Sequence, residues 1–137
     1  MAHEVFIDTS GFYALVVKND PKHESAHRTL KRARTEKRRL LTTDYVLDET
    51  ATLLKSRGEM KLAQSLFERV FSSSACRIEW MDALRFDTVR DFFLKHADQD
   101  WSFTDCTSFC IMKDYRLDDA LTTDYHFTQA GFRALLR

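Results

Sequence analysis

Three short β-favouring runs in this chain each stop at an aspartate. Val5-Phe6-Ile7 stops at Asp8, Leu40 to Thr43 at Asp44, and Asp119 to Thr123 at Asp124. Runs of this kind predict short buried strands, and the stretches between them carry apolar residues at helical spacing. Strands that alternate with pairs of helices make an α/β layered fold around a central, mostly parallel sheet. Ligands of such sheets bind beyond the carboxyl ends of the strands, the end that all three aspartates occupy.

With three glycines and one proline, punctuation is sparse, so long helices joined by short connections are expected. Helices are predicted over Ser10 to Lys18, Lys22 to Lys37 (Ala26, Leu30 and Ala33 inward), Tyr45 to Arg57 and Met60 to Phe71 (Ala63, Phe67, Val70 and Phe71 inward), then over Asp82 to His96 and Thr104 to Tyr115. Arg77 to Met81 reads as a strand, and Gly131 to Arg137 as a last strand or a helix turn. A chain of 137 residues fits one domain, residues 1–137. No apolar run reaches the roughly 18 residues a membrane span needs. The start, MAHEVFID, has neither the basic residues nor the apolar stretch of a signal peptide, so a cytoplasmic protein is expected. Cys76, Cys106 and Cys110 form no CxxC pair and are read as packing residues.

Formal net charge is zero but unevenly placed. Between Arg28 and Arg39 seven Lys or Arg face one acid, a balance of +6; between Asp98 and Asp124 seven Asp face two bases, a balance of −5. A basic face with a separate acidic cluster suits a protein that holds a polyanion by one and metal by the other, while a basic run is also what a solvated helix carries. On the first reading Arg32, Arg34 and Arg38 contact the polyanion.

Each acid has a structural alternative. Asp8 could cap the helix that follows it, and Ser102-Phe103-Thr104-Asp105 matches a capping box. Glu49 shares a helical stripe with Val46 and Leu53, which puts a carboxylate on an apolar face where it needs a cation or a hydrogen-bond network. The string LTTDY occurs twice, at residues 41–45 and 121–125. Asp44 precedes the helix bearing Glu49 and is read as its cap; Asp124 has no acid downstream and is read as a ligand. Asp8, Glu49, Asp105 and Asp124 then converge on one side of the sheet. An all-oxygen set without His or Cys selects hard ions, Mg²⁺ or Mn²⁺, and such ions activate water for phosphodiester cleavage.

Over nearly its full length the chain resembles the PIN domain, in particular the VapC-type ribonuclease toxins. The resemblance rests on FIDTSGFYAL, TTDYVLDETATLL and DWSFTDCTSFCIMKDYRLDDALTTDYHFTQAGF. It implies a three-layer α/β/α PIN-like fold with metal held by Asp8, Glu49, Asp105 and Asp124, Thr9 and Ser10 beside the metal, and Thr104 and Ser108 supporting the site. It also implies Mg²⁺-dependent endoribonuclease activity, a homodimer, and a small antitoxin that occludes the site.

Two other readings compete. His23-Glu24-Ser25-Ala26-His27 matches the HExxH helix of zinc metalloproteases, although it leaves the acidic cluster unexplained. A catalytically inactive PIN-like binding module is the second. A receiver or dehalogenase phosphoacceptor lacks its second aspartate or its lysine here, and no Gly-rich loop exists for a nucleotide. Phe92, Phe93, Phe103 and Phe109 are read as core, whereas Trp80 and Trp101 are left open between core and RNA stacking.

Overall fold

The structure, a computed structural model, describes residues 3–137, so the first two residues of the MAHEVFID start lie outside it. The elements run β1 (Val5–Ile7), α1 (Thr9–Val16), α2 (His23–Thr35), β2 (Leu40–Thr43), α3 (Asp44–Ser56), α4 (Met60–Ser72), β3 (Cys76–Glu79), α5 (Ala83–Lys95), α6 (Phe103–Asp114), β4 (Asp119–Leu121), α7 (Tyr125–Gln129) and β5 (Arg133–Ala134). The sheet has the order β3-β2-β1-β4-β5 and every pairing is parallel. β1, β2 and β4 are apolar because both their faces are covered: Phe6, Ile7, Leu41 and Leu121 are all buried.

The chain moves one way across the sheet from β1 to β3, then crosses back to β4 and β5. Right-handed crossovers therefore put α1 to α4 on one face and α5 to α7 on the other. The packing agrees: α1 lies against α2 and α3, and α3 against α4, while α6 lies against α5 and α7. Strand order reverses between β1 and β4, which opens a crevice at their carboxyl ends.

Gly11 lets that crevice close tightly around its base. A Cβ on Gly11 would lie 2.0 Å from the Leu121 carbonyl oxygen, so only a bare Cα allows α1 to lie this close to β4. Asp8 N–H donates to the same carbonyl at 3.3 Å.

Several expectations are corrected by packing. Phe67 and Phe71 lie on the outer side of α4, Phe71 58% exposed, because Leu66 with Ala63 and Val70 forms the face that meets the core. The helix α7 is absent from the sequence-based expectation, since five residues are too few to show a helical period. The tail resolves as a strand, β5, paired with β4. Trp80 is exposed, whereas Trp101 is half-buried and packs edge-on against Phe109 at 5.1 Å between ring centroids. Cys106 is buried, Cys76 and Cys110 half-buried, and burial pushes each thiol up to about 11, which keeps them unreactive as packing groups.

Gly11→Ala forces a methyl into a main-chain oxygen. It is expected to cost on the order of 3 kcal/mol or more of stability, the upper end for overpacking, because backbone cannot yield as a side chain does. Urea unfolding beside the wild type measures it; an unchanged midpoint would show that α1 can shift off β4 freely.

Candidate active site

Four elements deliver one carboxylate each to the crevice. Asp8 stands where β1 turns into α1, Glu49 on the second turn of α3, Asp105 in the first turn of α6, and Asp124 at the start of α7. Together with Thr9, Ser10, Tyr13, Asp20, Leu53, Arg57 and Thr123 they line a single cleft of about 350 Å³.

Asp8 is 4% exposed. It occupies the N-cap position of α1 but makes no side-chain cap; instead its Oδ2 accepts from the Thr122 hydroxyl at 3.1 Å. Burial pushes its carboxyl up to about 7, against the Thr9 and Thr122 hydrogen bonds and with help from the charges of Asp105 and Glu49. Asp105 does close the expected capping box: Ser102 Oγ accepts from its N–H at 3.0 Å and its Oδ2 accepts from the Ser102 N–H at 3.1 Å. Burial raises this carboxyl too, opposed by the Ser102 bond and reinforced by the Asp124 charge.

Glu49 differs from its expectation. It is exposed, because the buried side of α3 runs through Val46, Leu47, Thr50 and Leu54, one step round from the stripe that the sequence implied. Glu49 stands on the cleft rim, held by the Thr9 hydroxyl at 2.5 Å from its Oε1.

The capping role expected of Asp44 in the first LTTDY string falls to its neighbour, and Asp124 in the second string adds a cap to its place in the cleft. Thr43, not Asp44, caps α3 by accepting from the Val46 N–H, and Asp44 Oδ1 accepts from the Met81 N–H at 3.0 Å. In the second copy Asp124 is the cap, accepting from the His126 N–H at 2.9 Å, and it also lines the cleft. Thr122 is the centre of a network that the sequence did not single out. Its Oγ1 lies 3.0 Å from Ser10 Oγ, donates to Asp8 and accepts from the Asp124 N–H at 2.9 Å, while Ser10 Oγ accepts from the Thr123 N–H.

His126 is a further residue that the sequence alone does not mark. Its Nδ1 is 3.0 Å from Asp105 Oδ2 and 3.4 Å from Asp124 Oδ1. Donor atoms of Asp105, Asp124 and His126 lie within 4.8 Å of one another, close enough for one metal ion. Thr9 and Ser10 are in the cleft as expected, but Thr104 is not among its lining residues. Ser108 is buried with its hydroxyl donated to the Thr104 carbonyl inside α6, one turn beyond Asp105.

Arg32, Arg34 and Arg38 are not brought to the acids. Arg38 binds the His3 carbonyl and pairs with Asp119 at 2.9 Å, at the amino ends of β1 and β4, the opposite end of the sheet. Arg34 and Arg38 line an apolar groove there with Leu30, Leu66 and Val70, and Arg32 is exposed on α2. The HExxH match also has a structural account. His23 Nδ1 lies 2.7 Å from the Ala14 carbonyl and His27 Nε2 3.0 Å from that of Leu15. Those are carbonyls in the last turn of α1, left without helical partners, and the two rings satisfy them.

The donor set fits a hard divalent cation. Carboxyl groups gather there from four elements, and burial and neighbouring charge push two of them, Asp8 and Asp105, up in a way that a bound cation would offset. Known proteins share this arrangement of chain. The PIN domain family profile matches residues 5–133. The 23S rRNA-specific endonuclease VapC20 of Mycobacterium tuberculosis, in strains CDC 1551 / Oshkosh and ATCC 25618 / H37Rv, is 30% identical over 128 residues, covering 93% of this chain and 95% of the relative. A crystal structure of Mycobacterium tuberculosis VapC20, described as a sarcin-ricin loop cleaving toxin, superposes with a TM-score of 0.81 at 30% identity, over 95% of this chain and 97% of that one.

The raised Asp8 carboxyl has a consequence for the metal-free protein. The folded state holds this proton more tightly than the unfolded state, whose carboxyl has the ordinary value of 3.8, so stability is lost as pH rises from about 4 through about 7. Three pH units correspond to on the order of 4 kcal/mol. Asp8→Asn is therefore expected to stabilise the protein in chelator at pH 8 and much less at pH 5. Thermal unfolding of both proteins at the two pH values decides it, and a gap independent of pH would mean that Asp8 ionises without penalty.

Proposed function

The chain belongs to the PIN domain family, and on that premise we propose that it is a VapC-type endoribonuclease, a single nuclease domain over residues 1–137 that hydrolyses RNA phosphodiester bonds with Mg²⁺ held by Asp8, Glu49, Asp105 and Asp124. Manganese would serve the same oxygen donors. The observation that carries the reading is the convergence of these four side chains from four separate elements into one cleft at the strand-order reversal. A divalent cation in such a cleft neutralises phosphoryl oxygens and lowers the pKa of water.

The chain's own part is to hold the donors in place without that cation. Thr122 fixes Asp8, Thr9 fixes Glu49, the α6 cap fixes Asp105, and Asp124 is fixed by the His126 N–H that it caps. His126 Nδ1 sits between Asp105 and Asp124, within reach of an oxygen of each. By likeness to VapC20 the protein is a toxin that takes a ribosomal RNA; the resemblance to VapC-type toxins adds a small antitoxin that restrains it and a homodimer, and the sequence start adds a cytoplasmic location. Among the described residues no helix is long and apolar enough to cross a membrane. The 23S rRNA cut by the relative, and its sarcin-ricin loop, is the first substrate to try.

The test compares RNA cleavage by wild type, Glu49→Gln, Asp124→Asn and Asp44→Asn, with Mg²⁺ and with chelator. Glu49→Gln and Asp124→Asn are expected to lose roughly 100-fold or more in rate, as for other single electrostatic groups at a reacting centre, with folding intact by circular dichroism. Asp44→Asn keeps its acceptor for Met81 N–H and is expected to retain activity. Cleavage that persists in chelator would defeat the metal assignment, and a folded wild type that cuts no RNA would leave a binding module.

A further inference from the structure

Among the described residues lining the cleft, five are carboxylates and Arg57 is the one Lys or Arg. Other arginines near acids are paired: Arg38 and Arg133 with Asp119, Arg77 with Glu4 and Glu79, Arg85 with Glu79, and Arg90 with Asp87 and Asp91. Arg57 forms no ion pair among the described residues. Its Nη1 instead donates to the Tyr13 hydroxyl at 3.0 Å, and its Cζ lies 5.1 Å from the centroid of the Tyr13 ring. Tyr13 is half-buried on α1, five residues from Asp8, so the guanidinium is oriented by the same helix that starts at the acids.

The backbone under Arg57 is fixed as well. It is the C-cap of α3, its N–H bonded to the Leu53 and Leu54 carbonyls, and the chain turns at once through Gly58 at φ +74°. Glu49, Leu53 and Arg57 follow one another at i, i+4 and i+8, so they form one row along α3 that faces the cleft. Eight residues of helix separate Glu49 from Arg57 by roughly 12 Å along the axis. The Arg57 backbone therefore stands about two turns of helix beyond Glu49, along the same wall of the cleft.

From this geometry we infer that Arg57 grips a backbone phosphate of the RNA away from the bond that is cleaved, with Tyr13 as the residue that aims it. The inference rests on the nuclease reading above. A strand that enters a cleft of carboxylates needs a fixed positive charge beyond them to hold its flank, and Arg57 offers one whose remaining donors are free for bidentate contact with phosphate. It acts on binding and register, and takes no part in bond cleavage.

Two variants separate charge from shape. Arg57→Gln removes the charge and shortens the side chain; Arg57→Lys keeps the charge and loses the fork. Cleavage of a single-stranded RNA oligonucleotide is measured with Mg²⁺ over a range of salt. For Arg57→Gln the loss is expected to fall on KM, several-fold, and the slope of log kcat/KM against log salt should shrink by about 0.7, the value for one phosphate contact on a single strand. Arg57→Lys should restore the slope and recover part of KM. Tyr13→Phe, which removes only the hydroxyl, should raise KM while the slope stays. If wild type cleaves RNA and Arg57→Gln leaves both KM and slope unchanged, the assignment of Arg57 is overturned and the nuclease reading stands. A slope that Arg57→Lys fails to restore overturns it too, by showing that the charge was not the cause. If wild type cleaves nothing, both fail together.

Discussion

Carboxylates crowded at the ends of parallel strands repel one another, and the surroundings of this cleft are organised to keep them in place. The restraint comes from short hydroxyl side chains more than from cations. Thr122 reaches Asp8, Ser10 and the Asp124 N–H at once, and so ties the end of β1 to the segment after β4 across the reversal point of the sheet. Thr9 and the Ser102 cap restrain Glu49 and Asp105 in turn. This lattice requires α1 to lie on β4 more closely than any side chain at residue 11 permits, which makes Gly11 part of the site although it carries no chemistry.

The cost of the arrangement is electrostatic. Asp8 is buried and its carboxyl is pushed up to about 7, while Asp105 is pushed the same way. Held groups that resist ionisation would give up a proton to an entering cation, so metal binding by these residues would be coupled to proton release. Rigidity for this comes from apolar side chains. Phe6, Ile7, Leu41 and Leu121 lie buried beneath the acids, on the strands that position them.

Much of this was legible in the sequence, and the limits have physical causes. The runs ending at Asp8, Asp44 and Asp124 marked three of the strands, since burial on both faces leaves a short stretch no other pattern. The capping box around Asp105 was legible because its spacing is local. Phase was not. β2 ends at Thr43 and passes straight into α3, whereas β4 ends two residues earlier in the matching string, at Leu121. The same TTD therefore becomes strand, cap and first turn in one copy, and bridge, link and cap in the other. Glu49 shows the same limit on a helix: one step of rotation separates a buried stripe from a cleft-facing one. Partners distant in sequence were hidden too, among them Thr122 with Asp8, His126 with Asp105 and Arg38 with Asp119.

The separation of charge along the strands bears on how RNA is met. Arg34, Lys37, Arg38, Arg39 and Arg69 border the groove at the amino ends of β2 and β3, while the acids sit at the carboxyl ends of β1 and β4. A strand of three residues spans roughly 10 Å. Screening at physiological salt acts over about 8 Å, so the basic end does little to neutralise the cleft. A polyanion approaching this protein is drawn toward the basic end and repelled by the cleft until the carboxylates there are balanced locally. Whatever holds RNA in the cleft must therefore lie within the cleft, as bound cations on the acids or as a fixed charge on its wall, and the arginine of that wall lies on the same helical row as Glu49.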